Sequence, residues 1–192
     1  MARLRKFSAY QTIERPYTRF SKYKALSYVR ARPQLVIARF DHGHQLGKFD
    51  VTLHLLAGRW MQIRHNSLEA ARQTCNRVLE KLGKTAYFMR LKKYPFHILR
   101  ENPLASGAGA DRMSQGMKLS FGKPIGMAAQ CKIGDPIFEV RVNRKDVAAA
   151  KLALNRARMK LPCACTIVEV KGSDRVVNSV KVVKNYPKKS EK

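Results

Sequence analysis

A glycine-rich segment interrupts the middle of this chain and sets the main constraint on its fold. Residues 100–126 read RENPLASGAGADRMSQGMKLSFGKPIG and contain five glycines and two prolines, with little apolar periodicity. Neither a helix nor a strand can bury such a segment well, and long ordered loops in compact domains are usually functional. Its small residues allow a close backbone approach to another molecule, and its arginines indicate that this molecule is anionic.

The charge balance predicts the class of partner. The 192 residues include 39 Lys and Arg against 13 Asp and Glu, which gives a net charge of +26. Nucleic acid is the first candidate for the partner of so basic a chain, and a membrane surface is the second. The N-terminus, MARLRKFSAY, lacks the apolar core of a signal peptide, and no apolar run approaches the length of a membrane span. We therefore expect a cytoplasmic protein with no membrane partner.

Neither the cysteines nor the histidines form a metal-binding pattern. His42 and His44 stand in a turn-rich link, residues 41–50, without a third ligand at a useful spacing, so we interpret this link as a surface loop. The cysteine spacing matches no zinc pattern. We predict no metal site and no cofactor, and we interpret all four cysteines as buried, reduced thiols: Cys75, Cys131, Cys163 and Cys165.

Apolar periodicity predicts two helices and several extended segments. The first helix starts at Asn66, which forms a capping-box-like pair with Glu69, and ends at Gly83. The second helix starts near residues 143–146 and stops before Pro162. Residues 125–131 lead the chain out of the glycine-rich segment, and strands or extended pieces are predicted at residues 34–40, 51–56, 86–93, 96–100, 137–142 and 165–170.

Basic residues are concentrated at both ends of the chain. Residues 1–32 hold nine cations against one acid, with interleaved tyrosines. Cations bind phosphates and aromatic rings stack on bases, so we predict an N-terminal arm that packs on both the domain and RNA. Residues 33–170 are expected to form a single domain that contains the predicted helices and strands, and residues 171–192 form a second basic extension.

The glycine-rich segment matches two nucleotide-binding motifs only in part, and each lacks a required residue. Gly122 and Lys123 are followed by Pro124 where a phosphate-binding loop needs Ser or Thr, and GAGADR lacks the third glycine of a dinucleotide motif. Carboxylates are sparse, and Ser106 and Ser114 have no neighbouring base. We therefore predict that the protein is not an enzyme, and saturable binding of ATP or NAD would contradict this prediction.

Three segments taken together are far more specific than any single motif. QIRHNSLEAARQTCNRVLEKLG, YPFHILREN and GAGADRMSQGMKLSFGKPIG resemble the large-subunit ribosomal protein family numbered sixteen in bacteria and ten in archaea and eukaryotes, in its archaeal form. The resemblance spans about residues 15–170. It implies an α+β fold in which two helices pack on a mixed, strongly bent, hammerhead-like β-sheet, and a structural role in the ribosome.

The resemblance also implies the partners. Members of this family bind large-subunit ribosomal RNA beside the transfer-RNA cleft, next to neighbouring ribosomal proteins, and an internal loop points toward the peptidyl-transferase region. An RNA-binding or RNA-chaperone protein outside the ribosome is the alternative. The loop is here about residues 102–118 with Arg100 at its base, and the residues expected near transfer RNA, which binds transiently, are Asn102, Ser106, Gly107, Ala108, Gly109, Ala110, Asp111, Arg112 and Met113.

Predicted RNA contacts are mostly to the phosphate backbone, because the major groove of double-helical RNA is too narrow to read. On the second helix, Lys151, Asn155 and Arg158 share one face, which we expect to meet phosphates. The complete predicted set is Arg3, Arg5, Lys6, Arg15, Arg19, Lys22, Lys24, Arg30, Arg32, Arg64, His65, Asn66, Arg72, Arg90, Lys92, Lys93, His97, Arg100, Lys118, Lys123, Lys151 and Arg158.

Overall fold

The computed structural model describes residues 5–13, 16–18, 23, 25, 29, 32–101 and 122–171. Within these residues the chain forms eight strands and two α-helices. The strands are β1 (Asp41–Gly43), β2 (Val51–Ala57), β3 (Met61–Arg64), β4 (Tyr87–Leu91), β5 (His97–Glu101), β6 (Lys123–Cys131), β7 (Pro136–Val142) and β8 (Cys165–Lys171). The helices are α1 (His65–Leu79) and α2 (Val147–Arg158), and short 3₁₀ turns occupy Phe7–Tyr10, Glu80–Leu82 and Arg144–Asp146.

The described strands form two sheets rather than one. A five-stranded sheet has the order β1-β4-β7-β2-β8, and a three-stranded sheet has the order β3-β6-β5. Every pairing among these strands is antiparallel. The α+β class with two helices is confirmed, but the mixed sheet that the resemblance implied is not found. The chain crosses between the two sheets after β6, at a tight turn closed by the Asp135 N–H donating to the Lys132 carbonyl at 3.2 Å.

The main core lies between the five-stranded sheet and the helices. Leu53, Phe138 and Val140 are fully buried from the sheet side, and Leu68 and Cys75 are fully buried from α1. Burying each large aliphatic or aromatic side chain contributes about 1.5–3 kcal/mol. The buried residues of α2 are mostly alanines, which let this helix pack closely against α1. The strand predicted at residues 137–142 is confirmed, but its burial does not alternate, because residues 137–140 are all buried. The apolar periodicity predicted for the first helix is confirmed.

The start of α1 differs from the prediction. The helix begins at His65, directly after β3, so Arg64 occupies the capping position and its side chain makes no cap hydrogen bond. Asn66 therefore lies inside the first turn and does not cap the helix. Glu69 is not part of a capping box, because its carboxylate accepts hydrogen bonds from Arg72, at 2.8 Å from Nε to Oε2.

The remaining helix ends agree with the prediction. Gly83, with φ +102°, ends the 3₁₀ turn that follows α1, and α2 ends before Pro162. Within the described part of the chain, neither helix is both long and apolar enough to cross a lipid bilayer. The proposed boundaries of the arm, domain and tail stay predictions.

The strand predicted at residues 34–40 was wrong, although the segment is integrated into the fold. Ile37 is buried in the main core, but the segment joins no sheet. The Ala38 N–H donates to the Glu69 carboxylate at 3.4 Å, and the Phe40 carbonyl accepts from Leu91 N–H at 2.8 Å. Side-chain and isolated backbone partners thus replace the ladder that a strand needs.

Two short strands occupy segments for which no strand was predicted. The link at residues 41–50, predicted as a surface loop, begins with β1, which pairs with β4. β3 pairs with β6 and runs directly into α1. Strands of three and four residues are too short to show a clear period of two, so neither produced a recognisable pattern.

Candidate nucleic-acid interface

The described part of the N-terminal arm lies against the three-stranded sheet. The Nε of Arg5 is 2.6 Å from the Oε1 of Glu101 at the end of β5. The Tyr17 N–H donates to His97 Nδ1 at 2.9 Å, and the Tyr17 carbonyl accepts from Ile98 N–H at 3.3 Å. These contacts join the two ends of β5 to residues about 80–96 positions earlier in the chain.

Cations and tyrosine rings alternate where the arm meets the sheet. The Arg100 guanidinium lies 3.7 Å from the centre of the Tyr17 ring, and the Arg64 guanidinium lies 5.6 Å from the centre of the Tyr10 ring. Arg64 also donates to the Arg5 carbonyl at 3.2 Å. We call these five residues the arm face. A guanidinium stacked on a ring is held in place but keeps N–H groups at its edge, which match phosphate oxygens.

The glycine-rich segment leaves and re-enters the same end of this sheet. In the pairing of β5 with β6, Glu101 stands opposite Lys123, and Arg100 stands opposite Pro124. The two ends of the segment are therefore adjacent, beside the arm face. The loop itself, predicted at about residues 102–118, lies outside the described residues.

A polar row crosses the five-stranded sheet on the face away from the helices. Strand register places Asp41 opposite Arg90, Arg90 opposite Glu139, and Glu139 opposite His54. Arg90 Nε lies 2.7 Å from Asp41 Oδ1. Directly opposed residues in antiparallel strands share a face, so two acids and one arginine alternate along this row.

Two further cations neutralise the buried carboxylate in the polar row. Burial disfavours the charged form of Glu139, but hydrogen bonds from Lys92 at 2.7 Å and Arg141 at 2.7 Å lower its pKa overall. The guanidiniums of Arg90 and Arg141 also lie 5.3 and 5.2 Å from the ring centre of Phe88. This face consequently combines one buried acid with several partly exposed cations.

Arg72, one of the predicted RNA contacts, is buried in the structure. It is 8% exposed, and it forms an ion pair with Glu69 on the same helix. A hydrogen bond from Arg72 lowers the pKa of Glu69, and the same bond raises the pKa of Arg72. Arg72 Nη1 lies 3.0 Å from His42 Nε2. Since arginine can only donate, His42 accepts; burial and the charge of Arg72 lower its pKa. Arg72 thus joins α1 to β1.

The predicted RNA-binding residues fall into four groups in the structure. Those with exposed side chains are Arg5, Lys6, Arg32, Asn66, Lys92, Lys123, Lys151 and Arg158. Those that are half-buried are Arg64, Arg90, Lys93 and Arg100. Those that are buried are His65, Arg72 and His97. Those that lie outside the described residues are Arg3, Arg15, Arg19, Lys22, Lys24, Arg30 and Lys118. All the residues predicted near transfer RNA also lie outside the described residues.

The structure adds an aromatic cluster that sequence reasoning missed. Tyr94 stacks on Phe40 with ring centres 5.4 Å apart and contacts Phe96 at 4.9 Å, and Arg32 lies 5.7 Å from the Tyr94 ring centre. Tyr94 and Phe96 line a cavity of about 310 Å³ together with Lys92, Lys93, His97, Pro16 and Gln130. The signal was the run KKYPFH, in which aromatic residues directly follow two lysines.

The described residues form no arrangement that is suited to acid–base catalysis or to metal binding. Glu69 accepts hydrogen bonds from Arg72, Gln73 and Ala38, so it is not paired with the nearby His65. No group of three or more His, Cys, Asp or Glu within the described ranges is placed to hold a metal ion. The arrangement of cations beside aromatic rings is suited to binding a polyanion.

Comparisons with known proteins agree with this geometry. Residues 14–168 match a family described as ribosomal protein L16p/L10e. The chain is similar to the large ribosomal subunit protein uL16 of Methanococcus maripaludis, with 44% identity over 174 residues, 90% of this chain and 98% of the relative.

Two further relatives are similar over most of their length. The large ribosomal subunit protein uL16 of Thermofilum pendens is 44% identical over 80% of this chain and 88% of its own. The protein of the same description from Archaeoglobus fulgidus is 43% identical over 86% of this chain and 92% of its own.

Proposed function

This chain belongs to the ribosomal protein L16p/L10e family, and from that premise we propose that it binds large-subunit ribosomal RNA beside the transfer-RNA cleft. As a member of this family the chain is a structural constituent of the large ribosomal subunit and not an enzyme. Its place is therefore the ribosome in the cytoplasm, next to other ribosomal proteins.

The arm face carries this proposal. Arg5, Arg64 and Arg100 lie at one end of the three-stranded sheet, and Tyr10 and Tyr17 orient two of them. Arg5 forms an ion pair with Glu101, and this pair neutralises the carboxylate at the end of β5. Ribosomal RNA presents phosphates at high density, so a surface with oriented guanidiniums gains affinity by releasing counterions.

The position of the loop base supports the finer part of the proposal. The strand pair β5–β6 projects the glycine-rich segment from beside the arm face. A protein that rests on RNA through the arm face would therefore direct this segment past its RNA contact. We propose that the loop reaches toward the peptidyl-transferase region and contacts transfer RNA transiently.

A paired substitution tests whether the arm face binds RNA. Alanine at both Arg64 and Arg100 should weaken binding to a large-subunit RNA fragment by about tenfold or more, since each charge-assisted hydrogen bond contributes about 1.5–3 kcal/mol. The plot of log affinity against log salt concentration should also become shallower, by about one for each lost phosphate contact. Filter binding over a series of salt concentrations measures both quantities.

The control variant also removes two positive charges, but from a different surface. Arg77 and Lys81 are exposed on and just after α1, and neither belongs to the predicted RNA-binding set. Alanine at both positions should leave the salt dependence close to that of the unmodified chain. If the arm-face variant and this control behave alike, the arm face is not the RNA contact.

The alternative is an RNA-binding or chaperone protein with no fixed place in the ribosome. A ribosomal constituent should stay with salt-washed large subunits at about one copy each, whereas a chaperone should wash off. Recovery of the protein only in the wash would contradict the proposal even if RNA binding in solution were strong.

A further inference from the structure

Trp60 is an exposed aromatic residue that the proposed RNA contacts do not include. It is the sole tryptophan in the chain, and it is 56% exposed in the connection between β2 and β3. A large indole ring gains most of its stabilising energy when it is buried. Its exposure in this position leaves the ring available to another molecule.

The backbone around Trp60 is firmly held, although the connection is short. The Ala57 N–H donates to the Asp135 carbonyl at 2.9 Å, and the Gly134 N–H donates to the Ala57 carbonyl at 2.8 Å. Met61 and Cys131 form the outermost pair of β3 with β6 at this end. The residues just beyond that pair, Trp60 and Lys132, are therefore neighbours. The turns at residues 58–60 and 132–135 thus form one rigid surface, which we call the tryptophan platform.

One cation lies over the indole, and a second adjoins Trp60 in the sequence. The Nζ of Lys132 lies 5.7 Å from the centre of the Trp60 ring, and Arg59 is exposed beside it in the sequence. The nearby acid, Asp135, is occupied by an ion pair with Lys93. The ion pairs found among the described residues do not include Arg59 or Lys132, so both positive charges can serve an outside partner.

The tryptophan platform lies at the opposite end of β6 from the base of the glycine-rich segment. β6 runs from Lys123, at the base of the glycine-rich segment, to Cys131 beside the platform. Nine residues of strand span about 26 Å, from the usual rise per residue. A contact at the platform is therefore made with a different stretch of the partner than a contact at Arg100, which stands opposite Pro124 at the base of the glycine-rich segment.

We propose that the tryptophan platform stacks on an unpaired base of ribosomal RNA, while Arg59 and Lys132 contact the phosphates on either side of that base. This inference rests on the proposed function, because it names a second contact with the same partner. An exposed aromatic face with cationic neighbours matches a nucleotide, which offers a flat ring and adjacent negative charge. Lysine, which lies over the indole as Lys132, is depleted in protein–protein interfaces.

The single tryptophan makes the test direct. RNA binding by the full chain is measured by filter retention, and the fluorescence of Trp60 and its quenching by acrylamide are recorded in the same titration. Stacking should quench the fluorescence in step with binding and should protect the indole from acrylamide. W60A should weaken binding by about tenfold, whereas W60F, which keeps a smaller stacking ring, should lose less.

The control and the opposing outcomes separate this inference from the proposed function. L46A removes another apolar side chain, which is 89% exposed, and should bind like the unmodified chain. Binding of RNA with unchanged Trp60 fluorescence, or with full affinity in W60A, would overturn the inference and leave the proposed function intact. Protection of Trp60 only in assembled subunits, and not with RNA alone, would assign the platform to a protein neighbour. Absence of RNA binding would remove the proposed function itself.

Discussion

At the scale of single residues, the two cysteines near the start of β8 have different chemistry. The Sγ atoms of Cys163 and Cys165 are 3.2 Å apart. The hydrogen bond between the two thiols, with help from the Gly58 N–H and the charge of Arg59, lowers the pKa of Cys163 despite its partial burial. The same hydrogen bond, with burial, raises the pKa of Cys165. The thiolate is the reactive form of cysteine, so the nucleophile of this pair is Cys163.

We predict that Cys163 reacts before the other cysteines with an aromatic disulfide reagent. Its thiolate attacks the reagent, forms a mixed disulfide and releases one coloured thiolate, whose absorbance is followed. The fast phase should disappear in C163S. It should persist in C131S, because burial raises the pKa of Cys131 to about 12. A fast phase that survives in C163S would contradict the assignment.

His54 is the residue whose protonation should matter most for the fold. Its side chain is 4% exposed, and Nδ1 has no hydrogen-bond partner among the described residues. Burial lowers its pKa below the ordinary value of 6.5; Glu139 opposes the shift, and Lys92 and Arg141 add to it. The unfolded chain therefore binds a proton more readily than the folded one.

The lowered pKa of His54 makes the fold less stable at acidic pH. As the pH falls below 6.5, the ordinary value for histidine, the unfolded state gains protons first and the free energy of unfolding decreases. In H54Q this decrease should be shallower, because the contribution of His54 is removed. It should not disappear, because His42 and His65, whose pKa values are also lowered, remain. Urea unfolding at several pH values measures the slope. H44Q, at an exposed position, is the control, and equal slopes in both variants would refute the role of His54.

At the scale of elements, the pairing of β1 with β4 depends on one glycine. Gly43 has φ +81°, and a Cβ atom there would lie 2.1 Å from the Tyr87 carbonyl oxygen. That oxygen accepts a hydrogen bond from His44 N–H at 2.9 Å. A side chain at position 43 must therefore adopt a strained backbone and also displace the partner strand.

We predict that G43A destabilises the protein more than G83A. Gly83 has φ +102° but no atom within 4 Å of an added Cβ, so G83A should cost only the backbone strain, about 1–3 kcal/mol. G43A adds a steric conflict with backbone and should exceed that cost. Urea unfolding of both variants under identical conditions gives the comparison, and an equal or smaller loss in G43A would show that β1 shifts without penalty.

The buried ion pair on α1 explains why the helix start was predicted incorrectly. Asn66 and Glu69 match a capping box in spacing, but Arg72 lies three residues beyond Glu69 and competes for the same carboxylate. A buried carboxylate needs a charged partner more than a helix needs a capping box. Spacing alone cannot rank these two uses of Glu69, since the ranking depends on burial.

At the scale of the whole molecule, the net charge of +26 opposes the compact state. The described ion pairs neutralise the acids they contain, but they leave most of the cations without an acid. Mutual repulsion of these cations raises the free energy of the folded chain when no polyanion is present. RNA would relieve the repulsion and stabilise the fold by binding.

We predict that the melting temperature of the isolated protein rises as sodium chloride increases from low to physiological concentration, where the Debye length is about 8 Å. Screening weakens surface ion pairs as well, but their individual contributions are small, about 0–1 kcal/mol. Replacing Arg144 and Lys145, both exposed, by glutamine should reduce the response. A melting temperature that falls with salt would show that ion pairs outweigh repulsion.

Local sequence information was enough to predict the α+β class, the two helices with their apolar stripes and the family. These properties depend on composition, local periodicity and motifs, which are read within one segment at a time. Most of the extended segments were also placed correctly, because alternation over five or more residues is a strong local signal. The arginines of the arm face were selected from local charge alone.

Only the tertiary structure decided which segments pair and which cations remain available. Arg5 and Glu101 meet although they lie 96 positions apart, and Arg72 is withdrawn into an ion pair that its helical position did not reveal. β1 and β3 exist because longer strands supply their backbone partners, and the tryptophan platform exists because two distant turns are hydrogen-bonded together. The physical reason is that pairing and burial are properties of residues distant in sequence, and local patterns contain no information about the partner.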